Sequence, residues 1–319
     1  MKICIIGPGI MPIPPSGWGA CEILIHDTRC ELERLGHEVI IVNTKEKGEI
    51  IRKVNECNPD FVHVHYDEHI DVVPYLECKK VVATSHYGYL EQPHRWGDYA
   101  RLVRLFISTN VNIFALSPGI AEIYVRAGAD PDRVLIVPNG VREDLFTYHE
   151  NPSYTDRSIY LAKIDDRKRQ HIFQHIPGLY FAGNCIDPRF DLNSKQYLGE
   201  WTKNYLYENL SHYGNLVLLS DGEAHPLVCT EAMVCGLGLV ISEVSTANLD
   251  LSRKFIDVIP ESKIRDLPYI YETITKNREI SKTCREEIRE YALSTFPWSK
   301  MIERFYVPAM NFVLGSDKQ

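Results

Sequence analysis

Two glutamates, Glu223 and Glu231, have a spacing that suggests chemistry, because seven residues separate them. Pro226 predicts that a helix begins between them, which puts Glu223 just before the helix and Glu231 about a turn and a half inside it. Both carboxylates could then lie near one helix end and accept hydrogen bonds from sugar or ribose hydroxyls. Taken alone, the pair is more typical of two surface acids on an amphipathic helix.

A basic segment precedes these glutamates in the chain. It holds four cations within seven residues: Lys163, Arg167, Lys168 and Arg169. A nucleoside diphosphate that leaves a sugar gains negative charge as the bond breaks, and lysine or arginine side chains at that point would stabilise it. A solvated helix face is the other interpretation of such a cluster.

A loop rich in proline and glycine follows the first predicted strand and ends with Gly17 and Gly19 before a predicted helix. Glycines at a helix N-terminus present unhindered backbone N–H groups, which bind phosphate well. The spacing differs from the dinucleotide-binding pattern G-x-G-x-x-G. A plain turn from strand to helix is the alternative.

Histidines stand at the ends of two further predicted strands, His65 after one and His86 after another. The carboxyl ends of parallel strands form the edge at which such folds bind ligands, so both rings are candidates for the site. A single histidine at a strand end is otherwise most often a hydrogen-bonded structural group.

Short Val/Ile-rich runs alternate with helical patterns along the chain, which predicts an α/β fold with parallel sheets. Strands are predicted over residues 2–6, 38–43, 61–65, 80–84, 112–116, 134–137, 158–161, 179–182, 216–219, 239–242 and 257–259. Helices are predicted near 19–35, 47–57, 95–108, 118–127 and 270–294, and residues 147–157 are predicted to be a linker. The 319 residues suit two domains.

Residues 215–242 resemble the nucleotide-binding half of the retaining glycosyltransferases of family four, which have the GT-B fold. The resemblance includes the two glutamates with seven residues between them, Ala232, Gly236 and the flanking apolar runs. Three positions differ from the family pattern, which has an aromatic residue, glycine and proline there: His225, Pro226 and Gly238.

Other segments carry the same resemblance. Lys163 and Lys168 stand at the arginine and lysine of the family's Gly-Arg-x-x-x-x-Lys-Gly motif, and His86 stands in its Thr-x-His segment. Residues 138–146 resemble the family's crossing between domains, and residues 296–306 resemble its returning C-terminal segment. The resemblance implies two Rossmann-like, doubly wound domains that face a cleft: residues 1–147 with 299–319, and residues 148–298.

By this resemblance the protein is a retaining, metal-independent glycosyltransferase that moves a hexosyl group from a nucleoside diphosphate sugar to a hydroxyl of a glycan or other glycoconjugate. No cofactor is implied beyond that donor. The implied catalytic residues are Glu223, His86, Lys163 and Lys168. The implied donor contacts also include Gly17, Gly19, Leu227, Val228 and Glu231, with Glu231 on the ribose. The residues implied on the acceptor side are Trp18, His65 and Tyr87.

Two other functions stay open at this point. A sugar-nucleotide 2-epimerase uses a related two-domain fold, although the glutamate pair and the Thr-x-His segment together argue against it. A non-catalytic sugar-nucleotide-binding protein is the second alternative, because Ala162 and Lys163 stand where the family has Gly-Arg.

Composition excludes some classes of protein. A net charge of −8 argues against a nucleic-acid-binding surface. No apolar run approaches the ~20 residues of a transmembrane helix, which leaves only peripheral membrane contact open. The nine cysteines form no C-x-x-C pair and no metal-ligand pattern, which predicts reduced thiols in the cytoplasm.

Overall fold

The computed structural model describes residues 1–17 and 19–315. The chain divides into two compact units, one of Met1–Gly140 together with residues from Trp298 onward, and one of Val141–Pro297. The predicted boundary at residue 147 therefore lies seven residues past the observed one, and that at residue 298 lies one residue past. The chain passes from one unit to the other near residues 140 and 297. These two segments are hydrogen-bonded, since the Val141 N–H donates to the Phe296 carbonyl at 2.9 Å.

The first unit contains a sheet of six parallel strands with the order β2-β1-β3-β4-β5-β6. Its strands are β1 (Lys2–Ile6), β2 (Glu38–Val42), β3 (Phe61–Val64), β4 (Val81–Ala83), β5 (Asn112–Ala115) and β6 (Val134–Ile136). The central strands β3 and β4 are buried along their whole length, as parallel strands covered on both faces are, and His63 is their one polar residue.

Four helices connect these strands: α1 (Ala20–Arg34), α2 (Lys47–Cys57), α3 (Ala100–Ser108) and α4 (Pro118–Arg126). The helix predicted near residues 95–108 begins only at Ala100. Short 3₁₀ turns occupy the preceding residues, and Gly97 has a φ of +51°, which an α-helix does not accommodate. A longer 3₁₀ segment, Asp67–Tyr75, follows β3 and was not predicted.

The second unit contains five parallel strands in the order β11-β10-β9-β7-β8. They are β7 (Tyr154–Leu161), β8 (Leu179–Ala182), β9 (Tyr213–Leu218), β10 (Gly238–Ser242) and β11 (Ile256–Ile259). The prediction of a linker over residues 147–157 is wrong from Tyr154 onward. Polar residues there continue β7, because Tyr154 pairs with Tyr213 of β9.

Five helices belong to the second unit: α5 (Gln170–Phe173), α6 (Lys203–Asn209), α7 (Leu227–Val234), α8 (Leu267–Thr283) and α9 (Arg285–Thr295). The prediction of one helix over residues 270–294 is wrong, because the backbone of Cys284 leaves helical geometry at φ −135° and separates α8 from α9. The sequence pattern also did not reveal α6.

Helix α8 packs so closely against β10 that residue 238 has no room for a side chain. A Cβ on Gly238 would lie 2.1 Å from the Ser281 hydroxyl oxygen, and the Gly238 N–H donates to that oxygen at 3.1 Å. Proline, the residue usual at this place in the family, has a ring and no N–H. The departure at Gly238 therefore follows from packing inside the second unit.

Residues 298–315 are part of the first unit. They form α10 (Trp298–Met301), a π-helical turn (Ile302–Tyr306) and α11 (Val307–Gly315). A Cβ on Gly140 would lie 2.6 Å from Trp298 Cα, so these segments pack backbone to backbone. The buried Tyr306 hydroxyl lies 3.0 Å from His63 Nδ1, which joins the returning segment to β3.

We expect the change Tyr306→Phe to lower the free energy of unfolding by about 1 kcal/mol, the usual net contribution of one buried hydrogen bond. Chemical denaturation monitored by circular dichroism measures this. Tyr75→Phe is the matched control, because Tyr75 is 68% exposed and should show no change. Equal stabilities for the wild type and Tyr306→Phe would mean that this hydrogen bond does not anchor the C-terminal segment.

Candidate functional site

The candidate donor site of the second unit lies where its strand order reverses. β7 pairs with β8 on one side and with β9 on the other, so the chain leaves β7 and β9 at neighbouring points on the same edge of the sheet. The loop after β7 carries the basic segment, and the loop after β9 carries Glu223. Ligands of open α/β sheets bind at such a switch point.

Two cations hold the Glu223 carboxylate. The Lys168 ammonium donates to its Oε1, and an Arg167 guanidinium nitrogen lies 3.3 Å from its Oε2. The Glu223 side chain is only 8% exposed. Burial raises the pKa of this carboxyl, but the charges of Lys168 and Arg167 outweigh burial and hold the pKa below its ordinary value. Glu223 is therefore a carboxylate at neutral pH.

Hydrogen bonds between the two loops fix Lys168. The buried Tyr160 hydroxyl donates to the Lys168 carbonyl at 2.5 Å and accepts from the Leu219 N–H at 3.0 Å. The Asp221 N–H donates to the Arg167 carbonyl at 2.8 Å. The loop after β7 thus cannot shift without the loop after β9, so the cations and the carboxylate form one preorganised group.

Tyr160→Phe should lower the free energy of unfolding by about 1–3 kcal/mol, because it leaves a buried donor and a buried acceptor without their partner. Thermal and urea unfolding measure the change. Tyr205→Phe in the same unit is the control, since Tyr205 is 50% exposed. If both variants unfold alike, the Tyr160 hydroxyl does not stabilise the junction of the two loops.

Helix α7 presents three of the predicted donor contacts on one face. Leu227, Val228 and Glu231 are half-buried, whereas the residues between and after them are mostly buried in the core. Positions 227 and 231 lie one turn apart, so their side chains project on the same side of the helix. This face suits a ligand that covers apolar surface and uses one carboxylate.

Lys163, the remaining predicted catalytic cation, lies at the end of β7. Its side chain is exposed, and its ammonium forms no ion pair with any residue that the structure describes. Gln170 holds the backbone here by donating from Nε2 to the Lys163 carbonyl at 2.9 Å. The structure therefore places Lys163 near the same loop as Lys168 but does not bring it to Glu223.

In the first unit, His65 and His86 lie in one hydrogen-bonded row of rings. His65 Nδ1 is 3.2 Å from His86 Nε2, and His65 Nε2 is 3.1 Å from His63 Nδ1. His63 Nε2 is in turn 2.8 Å from the Thr84 hydroxyl. Burial lowers the pKa of His86 to about 4 and that of His63 to about 3, so both rings are neutral at pH 7.

Tyr87, predicted on the acceptor side, stacks on Tyr99 with ring centroids 3.7 Å apart. Its N–H donates to the Ser85 hydroxyl at 3.2 Å, and that hydroxyl also lies 2.7 Å from the Tyr99 hydroxyl. Tyr87 is half-buried, so the ring is held in place while part of it remains accessible.

The glycine-rich loop is a poorer candidate for phosphate than its composition suggests. A Cβ on Gly17 would meet nothing within 4 Å, so no close approach explains this glycine, and Gly19 is the cap of α1. Glu22, in the first turn of α1, is 5% exposed. Its carboxylate already occupies the helix end that an anion would use. Trp18 lies outside the described residues.

Two features of the sites are not predicted by the sequence. Arg167 belongs to the basic cluster, and only the structure shows that its Nη1 donates to the Gly222 carbonyl at 2.6 Å and lies 3.3 Å from Glu223 Oε2. Cys21, His65 and His86 bring a sulfur and two ring nitrogens within 4.8 Å of one another. No local spacing could show this group, because its members come from three separate segments.

One known family resembles part of the chain, and solved structures resemble nearly all of it. The model of Glycosyltransferase Family 4 matches residues 47–145, which is less than half of the chain and lies mainly in the first unit. The resemblance at residues 215–242 lies in the other unit, so the two are separate observations. No curated protein sequence matches the chain.

Several solved structures share the whole fold. Sucrose-phosphate synthase from Thermosynechococcus elongatus has a TM-score of 0.76 at 16% identity, covering 99% of this chain and 100% of that one. HepE from Anabaena, in complex with UDP-glucose, has a TM-score of 0.74 at 13% identity, covering 98% of this chain and 100% of that one. WaaG, a glycosyltransferase involved in lipopolysaccharide biosynthesis, has a TM-score of 0.68 at 15% identity, covering 98% of this chain and 100% of that one.

The chain has the GT-B fold. This confirms the predicted fold class, and the match to the Glycosyltransferase Family 4 model supports the prediction of a glycosyltransferase enzyme. Among the described residues, no helix is both long enough and apolar enough to cross a membrane.

Proposed function

We propose that the protein is a retaining glycosyltransferase that moves a hexosyl group from a nucleoside diphosphate sugar to an acceptor hydroxyl of a glycan or other glycoconjugate. The observation that carries this proposal is the group formed by Glu223, Lys168 and Arg167 at the strand-order switch of the second unit. It combines a hydrogen-bond acceptor for sugar hydroxyls with cations for a diphosphate. HepE, which has a similar fold, binds UDP-glucose and supports a donor of this class.

Glu223 can serve the donor sugar while it remains paired. A carboxylate offers about four acceptor positions, and the contacts with Lys168 and Arg167 use two of them. The remaining positions can accept hydroxyl groups of the sugar, and the negative charge stabilises the positive charge that develops on its anomeric carbon. Glu231, on the half-buried face of α7, is assigned to the ribose.

The cations act on the leaving group. During transfer, the bond between the anomeric carbon and the diphosphate oxygen breaks, and the acceptor oxygen bonds to that carbon from the same face. The leaving phosphate oxygen takes the acceptor proton, so no protein base is required. Lys168 and Arg167 are held beside Glu223, and the exposed Lys163 ammonium is free to turn toward the diphosphate.

His86, His65 and Tyr87 are assigned to positioning in the first unit. The low pKa of His86 makes its ring a neutral hydrogen-bonding partner rather than a cation at pH 7. Such a ring can orient the donor or acceptor without adding charge.

We infer that no metal takes part in the transfer step, because lysine and arginine side chains provide the positive charge for the leaving group. After EDTA treatment, added Mg²⁺ should therefore change the rate by less than about twofold in a nucleotide-release assay. Strong inhibition by EDTA that added Mg²⁺ reverses would contradict this inference.

The sugar-nucleotide-binding alternative is tested in two steps. UDP- and GDP-sugars are first screened by thermal shift, in which a donor at 100 times its dissociation constant should stabilise the fold by about 2.7 kcal/mol. Nucleotide release is then followed with the best donor and a panel of glycan acceptors. Release that depends on acceptor supports transfer, whereas tight binding without release for every pair indicates a binding protein. Release of free nucleotide with epimerised sugar would indicate the epimerase.

We place the reaction in the cytoplasm, in the synthesis of a polysaccharide or similar glycan. All nine cysteines are free thiols, which fits a reducing compartment. The similarity of fold to WaaG is consistent with a glycan acceptor.

A further inference from the structure

Three potential metal ligands meet at the carboxyl edge of the first unit's sheet. Cys21 lies in the first turn of α1, His65 follows β3, and His86 follows β4. The Cys21 sulfur and one ring nitrogen of each histidine lie within 4.8 Å of one another. The Cys21 thiol donates to the backbone carbonyl of His65 at 3.4 Å, which holds the sulfur beside that ring.

The distance between the two ring nitrogens matches a tetrahedral zinc site. Zn–N bonds of about 2.0–2.1 Å at tetrahedral angles put two nitrogen ligands about 3.3–3.4 Å apart. His65 Nδ1 and His86 Nε2 are 3.2 Å apart. One ion can therefore lie within bonding distance of both nitrogens, and the Cys21 sulfur lies within 4.8 Å of a nitrogen of each ring.

The surrounding hydrogen bonds suit a metal ligand at His65. A ligand at Nδ1 must carry its proton on Nε2, and His63 Nδ1 lies 3.1 Å from that atom as an acceptor, which the Tyr306 hydroxyl at 3.0 Å shares. His63 can then donate from Nε2 to the Thr84 hydroxyl at 2.8 Å. Metal-binding histidines generally donate their second ring N–H to such a partner, which fixes the tautomer and the ring orientation.

We propose that Cys21, His65 and His86 form a Zn²⁺ site. Thiolate and imidazole are the ligands that zinc prefers, and three protein ligands leave a fourth position for water or another small ligand. On binding, the Cys21 thiol releases its proton to the solvent. The proton between His65 and His86 moves to Nδ1 of His86, so both coordinating nitrogens are free of hydrogen.

This site goes beyond the proposed function, which assigns His65 and His86 only to positioning, and zinc binding does not depend on sugar transfer. The three ligands lie in the first unit, whereas the carboxylate and cations assigned to the donor lie in the second. Zinc binding can therefore be measured with no donor or acceptor present, and the result is independent of whether the protein transfers a sugar.

The test uses the full chain after dialysis against a chelator. Isothermal titration with ZnCl₂ should give one Zn²⁺ per chain, and Co²⁺ in its place should show a thiolate-to-metal absorption band in the near ultraviolet. Cys21→Ser should remove that band and weaken Zn²⁺ binding by at least about tenfold. Changing a residue that only hydrogen-bonds to a metal ligand already costs about tenfold or more, so the loss of a ligand should cost no less. Cys57→Ser is the matched control, because Cys57 is also half-buried but is outside the group.

Thermal melts of both variants show whether they are folded, and the Co²⁺ spectrum of the unaltered protein is a test that needs no variant. The proposal is supported if the wild type and Cys57→Ser bind one ion with the absorption band and Cys21→Ser does not show the band. It is overturned if the folded wild type binds no Zn²⁺, shows no thiolate band with Co²⁺, or binds Zn²⁺ as tightly after Cys21→Ser.

Discussion

Glu223→Gln should lower kcat by about 10²–10³-fold and leave the affinity for free UDP or GDP unchanged or slightly higher. The amide removes the negative charge that would stabilise the developing positive charge of the sugar, and such losses usually fall in this range. Nucleotide affinity should not fall, because the substitution frees Lys168 and Arg167 from their ion pairs with Glu223. Both cations would then be available to the diphosphate.

Titration with nucleotide and with intact donor, followed by turnover measurements, tests this expectation. The matched control is Glu231→Gln, which should weaken nucleotide and donor binding together, because both contain the ribose. A loss in kcat without a loss in nucleotide binding indicates an interaction made mainly in the transition state. If both variants retain wild-type affinity and turnover, the two carboxylates take no part in donor binding or transfer.

Lys168→Ala should lower kcat/KM by about 10²-fold, because it removes a cation from the point where the leaving group gains charge. Lys163→Ala should have an effect of the same order if its exposed ammonium closes on the diphosphate. Lys276→Ala is the control, since Lys276 is exposed on α8 of the same unit. Full activity in both Lys168→Ala and Lys163→Ala would show that the basic segment does not act on the leaving group.

The pH dependence of Lys168→Ala gives a second measurement. Burial raises the pKa of Glu223, and Lys168 is the largest influence that offsets it. Without Lys168 the pKa of Glu223 should rise, so the acid limb of the pH–rate profile should shift to higher pH. In the wild type, the lowered pKa means that the ion pair stabilises the fold fully above the ordinary glutamate pKa and loses this contribution as the pH falls. An unchanged acid limb would contradict the pairing.

The sequence alone predicted the eleven strands, because each is a short apolar run that can be stable only when it is buried in a sheet. It also predicted the helix between Glu223 and Glu231, since Pro226 and Gly236 mark its ends locally. Boundaries failed where distant partners decide them. Tyr154 stands among polar residues in the sequence but pairs with β9 in the structure. Cys284 interrupts a sequence pattern that is otherwise continuous for one helix.

For the candidate site residues too, the sequence predicted local features and only the structure showed the contacts between distant segments. Residue types and local spacing identified Glu223, Glu231 and the basic segment, because the chemistry of a carboxylate or a cation belongs to the side chain itself. Only the tertiary structure paired Glu223 with Arg167 as well as Lys168, buried Glu22 at the start of α1, and brought Cys21 to His65 and His86. These contacts join segments far apart in the chain, and strand order determines which segments meet at one edge of a sheet.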